Sequence, residues 1–168
     1  MRREFLMILL AGATALSAQT QGARLGGTWR LNVAKSFLGG DHPFSDYALT
    51  KTIVQTGDAV SITDASVHNS VVNIPLPDST TTLEVAVDGK EHLQTQQAGF
   101  PGMPVSKAAV TAEWQGGTLE MVQVVSGFAN YSKQRLFLSE DGSQLIDLVE
   151  QHSIYGDGEQ RLVFEKAP

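Results

Sequence analysis

The chain contains no cysteine. That excludes disulfides, zinc–thiolate centres, thiol nucleophiles and a lipidated cysteine anchor. Basic charge is also scarce, with 12 Lys+Arg against 18 Asp+Glu and a formal net charge of −6. A nucleic-acid interface needs a concentrated basic face, so no nucleic-acid partner is expected. Catalytic signatures are missing as well. There is no G-x-S-x-G elbow, no Walker loop and no G-x-G-x-x-G opening a helix. His42, His68, His92 and His152 stand singly, outside the spacings that place two imidazoles on one metal, so neither a metal site nor a cofactor is expected. Asp58, Asp88, Asp141 and Asp157 read as turn formers. Glu84, Glu113, Glu120 and Glu150 fall on outward phases of strands, and no carboxylate pair is singled out for catalysis.

What is present describes one globular domain. The chain has 168 residues, 42% of them hydrophobic and only 18% charged, a balance that buries a core. Its start reads as an address. Arg2 and Arg3 precede Phe5 to Ala18, a stretch without charge that ends in small residues, the form of a cleavable signal peptide. A permanent anchor needs about 20 apolar residues, more than this stretch supplies. Arg2-Arg3-Glu4-Phe5-Leu6 resembles the twin-arginine export motif R-R-x-F-L, and a general secretory signal is the alternative. Cleavage after Ala15 or after Ala18 fits. The expected organisation is a signal peptide over 1–18 and a domain over 19–168, located in the periplasm or secreted from a bacterium. Loss of residues 1–18 removes two Arg and one Glu and takes the net charge from −6 to −7.

From Gly26 onward apolar residues alternate with polar ones. Trp29, Leu31 and Val33 face one way; Val60 and Ile62, Leu83 with Val85 and Val87, Val110 with Ala112 and Trp114, and Leu162 with Phe164 repeat the pattern. This is the period of a half-buried strand. Gly57-Asp58, Asp88-Gly89, Gly116-Gly117, Asp141-Gly142 and Asp157-Gly158 lie between such runs and supply the positive φ angles of tight hairpins. Nine or ten antiparallel strands are predicted from the ranges 27–33, 48–56, 59–66, 68–74, 80–88, 90–96, 107–115, 118–126, 130–139, 143–152 and 159–166. Closing such a sheet on itself buries one face and removes the edges. The predicted fold is all-β, a single antiparallel up-and-down β-barrel, with a two-sheet sandwich as the alternative. Short hairpins would close one end, and the longer connections 34–47 and 97–106 would mark an open one.

Gly27-Thr28-Trp29-Arg30-Leu31 resembles the first-strand G-x-W motif of the calycins, the group of lipocalins and fatty-acid-binding proteins. The fatty-acid-binding branch reads G-T-W-K-L with an aromatic further along, as Phe37 is here. The resemblance implies a lipocalin-like barrel with Trp29 plugging one end and an Arg from near the last strand, Arg161, packed across it. The ending Arg161 to Lys166 is similar to the R-V-Y-E-K close of fatty-acid-binding proteins. There Arg and Tyr share one face at a spacing that Arg161 and Phe164 do not keep, so a paired carboxylate-binding site is not implied. Residues 38–47 are too few for that family's two-helix lid, and the second lipocalin motif has no counterpart. The opening is most similar to that of uncharacterised secreted bacterial proteins reading G-T-W-K-L-N and then K-S, matched by Gly27 to Asn32 and Lys35-Ser36. That likeness carries no activity with it.

Candidate ligand contacts come from the strand faces and one loop. Leu119, Met121, Gln123 and Val125 share a face, where Gln123 interrupts an apolar row. Tyr131, Lys133, Arg135 and Phe137 share another. Were that face internal, Tyr131 and Arg135 would anchor an acidic or hydroxylated ligand; were it external, Leu136 and Leu138 would be core. Trp114 would cover the barrel rim. Phe100 and Met103 lie in an uncharged loop with Pro101, Pro104, Gly99 and Gly102, placed to form a flap or a protein contact. The leading expectation is an exported barrel that binds a small apolar or amphipathic molecule. A cell-envelope interaction module with a filled barrel and a protein partner is the alternative, and an enzyme at the barrel mouth the third.

Overall fold

A computed structural model describes residues 25–38, 47–68, 78–96, 106–125, 130–153 and 156–168. Ten strands follow one another: β1 (Gly27–Leu31), β2 (Tyr47–Thr56), β3 (Ala59–His68), β4 (Ser79–Ala86), β5 (Glu91–Gln96), β6 (Ser106–Gln115), β7 (Thr118–Val125), β8 (Asn130–Leu138), β9 (Gln144–Ser153) and β10 (Gly156–Lys166). A 3-10 turn over Val33–Lys35 follows β1 and is capped by Asn32, whose side chain accepts from the Lys35 amide. Among the described residues no helix is long and apolar enough to cross a membrane.

The strands form a single antiparallel sheet in the order β4-β3-β2-β1-β10-β9-β8-β7-β6-β5. First and last strands meet in its middle, since Leu31 of β1 pairs Phe164 of β10. The sheet therefore curls into a nearly closed up-and-down barrel, as the alternation predicts. Two of the turns at the tight end show how glycine makes it. Gly57 has φ 59° and Gly116 φ 62°, left-handed values that favour glycine, and they turn β2 into β3 and β6 into β7.

In two places the turn chemistry predicts a hairpin that the structure arranges otherwise. Asp157-Gly158 lies inside β10, opposite His152 and Gln151 of β9. The ladder runs on to Gly156–Ser153, helped by an ion pair of His152 with Asp157 at 2.8 Å. Asp88-Gly89 joins β4 to β5, but the described residues of these two strands form no ladder. The linker amides are engaged elsewhere: Val87 N donates to Asp58 O at 2.8 Å and Gly89 N to Ala112 O at 3.0 Å. β4 and β5 are the two edges of the sheet, and the Gln94 side-chain amide donates to the Glu84 carbonyl across the gap. The predicted strand 68–74 falls almost wholly, and the loop 97–106 largely, outside the described residues.

One apolar core fills the end with the tight turns. Trp29, Leu25, Ile53, Val60, Ile62, Val85, Ala112, Leu119, Leu136, Leu145 and Phe164 are buried in it. All the strand residues among these sit on the inward phase of their strands, so burial follows directly from the period-2 pattern.

Candidate functional site

The barrel interior is not apolar throughout. Lys51 lies between Leu49 and Ile53 on the inward face of β2, and Asp147 sits between Leu145 and Val149 on that of β9. Each is 1% exposed. Lys51 Nζ stands 3.4 Å from Asp147 Oδ2 and 2.8 Å from either carboxylate oxygen of Asp64, its register partner on β3. From β8 the Gln134 amide donates to both oxygens of Asp147, at 2.9 and 2.8 Å. Lys51 Nζ also lies 5.6 Å from the centre of the Phe164 ring. Four strands thus aim one cation, two carboxylates and an amide into a wall otherwise built of aliphatic and aromatic groups.

The electrostatics follow from burial. Desolvation pushes the Asp147 carboxyl above its ordinary range; Lys51 and the Gln134 amide act in the opposite direction, and neighbouring Asp64 adds to the rise. Asp64 is the open member, with a side chain 38% exposed against 2% for Lys51. Towards the strand ends away from the tight turns neutral polar side chains join the inner face, beside Ala108 and Val125. Ser66 and Ser79 hydroxyls meet at 2.7 Å, and Gln123 pairs in register with Ser132.

The residues singled out from the sequence separate cleanly. Met121 is buried in the core on the inward face, beside Ala112 and Gln134, and Gln123 follows on the same face. Tyr131 and Arg135 stand on the outer face, because Gln134 and Leu136, on the opposite phase of β8, point inward. Arg135 pairs there with Glu150, and Lys133 with Glu120 at 2.8 Å, while the Tyr131 ring lies 5.6 Å from that of His152. Phe100 and Met103 lie outside the described residues. Trp29 is 1% exposed and donates from Nε1 to Leu25 O at 2.9 Å. The cation over its ring is Lys166, at 5.8 Å. Arg161 is exposed; its backbone pairs with Phe37 and its guanidinium donates to Lys35 O at 3.3 Å.

Sequence reading missed Lys51, Asp64, Asp147 and Gln134. The signal was present for Lys51 and Asp147, which interrupt apolar rows at an inward phase as Gln123 does; Asp64 and Gln134 stand beside Ser66 and Ser132, where the inward row turns polar. Among the described residues no group of His, Asp and Glu is placed to hold a metal ion. A hollow of about 440 Å³ beside Arg30, Asn32, Glu165 and Lys166 lies outside the barrel wall. Its carboxylate, Glu165, is already engaged by Asn32 and by Lys35, both at 2.9 Å.

This architecture defines a fold class: a nearly closed ten-stranded antiparallel up-and-down β-barrel. No family model and no curated protein matches the sequence. Solved structures do match the fold. Lipid binding protein 8 of Caenorhabditis elegans superposes with a TM-score of 0.58 at 14% identity, over 86% of this chain and 96% of that one. Zebrafish ileal bile acid-binding protein, solved with cholic acid, gives 0.52 at 19% identity, over 86% and 99%. The fluorescent protein UnaG gives 0.54 at 16% identity, over 87% and 98%. At these identities the likeness is one of fold.

Proposed function

We propose that this chain is an exported barrel protein that binds a small apolar or amphipathic molecule in its interior. One observation carries the reading, the Lys51–Asp147–Gln134 cluster sealed within an apolar wall. Replacing a buried ion pair by well-packed apolar residues is often neutral or stabilising, so stability alone gives little reason to keep one. Polar groups few in number and fixed in position are what an apolar pocket uses to orient a ligand. The fold neighbours support the reading, since one is named for lipid binding and another was solved with cholic acid. Export rests on residues 1–18, read as a cleaved leader, and places the domain 19–168 in the periplasm or outside a bacterial cell, in keeping with the secreted bacterial proteins that its opening resembles.

The experiment is native mass spectrometry of the protein purified gently from the periplasm of its host. A discrete added mass that is lost on denaturation is the expected result, together with an N-terminus near residue 16 or 19. A bare mass with no uptake from host lipid extract would overturn the binding reading. Weight would then move to a protein-interaction module, which the exposure of Leu93 (75%) and Val124 (45%) on the outer face favours.

A further inference from the structure

We infer that the interior selects amphiphiles whose polar end is an amine, and discriminates against carboxylates. The inference rests on the interior-binding reading and concerns the chemistry of that same site.

It follows from a count of charge by location. Of the cations in the described residues, Lys51 is buried inside the barrel. Arg30, Lys35, Lys90, Lys107, Arg161 and Lys166 are exposed, while Lys133 and Arg135 are paired on the outer wall with Glu120 and Glu150. Lys51 is itself committed, held at 2.8 Å by Asp64 and at 3.4 Å by Asp147. Among the described residues the inner face therefore offers an arriving carboxylate no uncommitted ammonium or guanidinium. To reach Lys51 it would have to displace one of two carboxylates already in place, against the repulsion of the other.

Among the described residues the wall therefore supplies no uncommitted cation for an anionic headgroup. For an ammonium the balance reverses. Asp64, open at 38% and carrying a charge that Lys51 shares with Asp147, presents a carboxylate to which an N–H donor adds a charge-assisted hydrogen bond. Like charges brought together in a partly desolvated site cost affinity and opposite charges gain it, so this lining acts as a filter on headgroup charge.

The test is displacement of an uncharged lipophilic dye, Nile red, from the full-length mature protein at neutral pH. The competitors are laurylamine, lauryl alcohol and laurate, kept below their aggregation concentrations. The amine is expected to compete about tenfold or more better than laurate, with the alcohol between them. Laurate equal to or better than the amine would overturn the inference while leaving interior binding intact. Failure of the protein to take up the dye or any of the three would overturn both. Asp64→Asn is expected to shrink the amine preference, read as the ratio of laurylamine to laurate competition within that variant, several-fold, and a full preference in that variant would overturn the assignment to Asp64. Should Asp64→Asn fail to fold, the wild-type series decides alone.

Discussion

Lys51 of β2 and Asp147 of β9 meet inside the barrel, Nζ to Oδ2 at 3.4 Å, although β1 and β10 separate their strands in the sheet. The contact spans the curved inner wall and passes beside the Phe164 ring of β10. It ties the N-terminal and C-terminal halves of the sheet across its closing seam, where β1 pairs with β10 through a short ladder ending at Leu31–Phe164.

Removing one partner leaves a charge buried without its counterion. Lys51→Met is expected to cost about 3–5 kcal/mol, because Asp147 remains 1% exposed inside the wall. Asp147→Asn keeps the shape and leaves the Lys51–Asp64 pair, so its cost is expected below about 1.5 kcal/mol. Urea unfolding of both variants checks the order, and an equal cost would show that the pair does not act as a charge pair.

The raised Asp147 carboxyl has a consequence for pH. A group whose folded value lies above its unfolded one holds its proton more tightly in the fold. The stability it contributes is present below the ordinary value of 3.8 and is lost as pH rises through the raised value. The stability of the wild type minus that of Asp147→Asn is therefore expected to fall as pH rises through that window. Chemical denaturation across an acid series measures it, with Lys51 and Asp64 present in both proteins; a flat difference would contradict the shift.

Asp141 shows the opposite sign at the surface. The Ser139 hydroxyl, then the Ser143 amide and hydroxyl, bond its carboxylate and hold its value down to about 2. Its contribution is present above 3.8 and lost as pH falls through about 2. Carbon-detected NMR titration is expected to find that midpoint, and Ser139→Ala to move it back towards the ordinary range.

Trp29 is one of the largest fully buried side chains of the core. Trp29→Ala is expected to cost about 3–5 kcal/mol, since the ring is 1% exposed and its Nε1 bond to Leu25 O is lost with it. Lys166→Ala removes only the exposed cation over that ring, with an expected cost of about 0.5–1 kcal/mol. Thermal unfolding of the two variants separates ring from cation.

Inner and outer faces of β7 and β8 make contrasting predictions for binding. Arg135→Ala and Tyr131→Phe alter the outer wall and are expected to leave Nile red affinity unchanged. Met121→Trp adds bulk beside Gln134 on the inner face and is expected to lower that affinity several-fold, at a stability cost of about 1–3 kcal/mol. Reversal of this order would place the binding surface outside the barrel.

Much of the fold was legible because its signals are local. Alternation along Trp29–Leu31, Val60–Ile62 and Val110–Ala112 marks strands, and Gly57 and Gly116 mark turns, since side-chain phase and positive φ depend on near neighbours alone. The face of β8 was not legible in the same way. Tyr131 with Phe137 and Leu136 with Leu138 form apolar rows of opposite phase, and only pairing with Glu120 and Glu150 on adjacent strands turns Lys133 and Arg135 outward. Asp88-Gly89 has hairpin chemistry, yet whether β4 and β5 form a ladder was settled by the bonds that Val87 makes to the β2–β3 turn and Gly89 to β6.

By itself, then, the amino-acid order determined an all-β meander, its tight turns, the buried phase of Trp29 and the scarcity of cations. Each of these is a property of composition or of residues close in sequence. Which charges lie inside was decided by tertiary structure. A lysine or aspartate in an apolar row is costly to bury until partners desolvated with it repay the loss, and those partners come from β2, β3, β8 and β9 only once the sheet has curled.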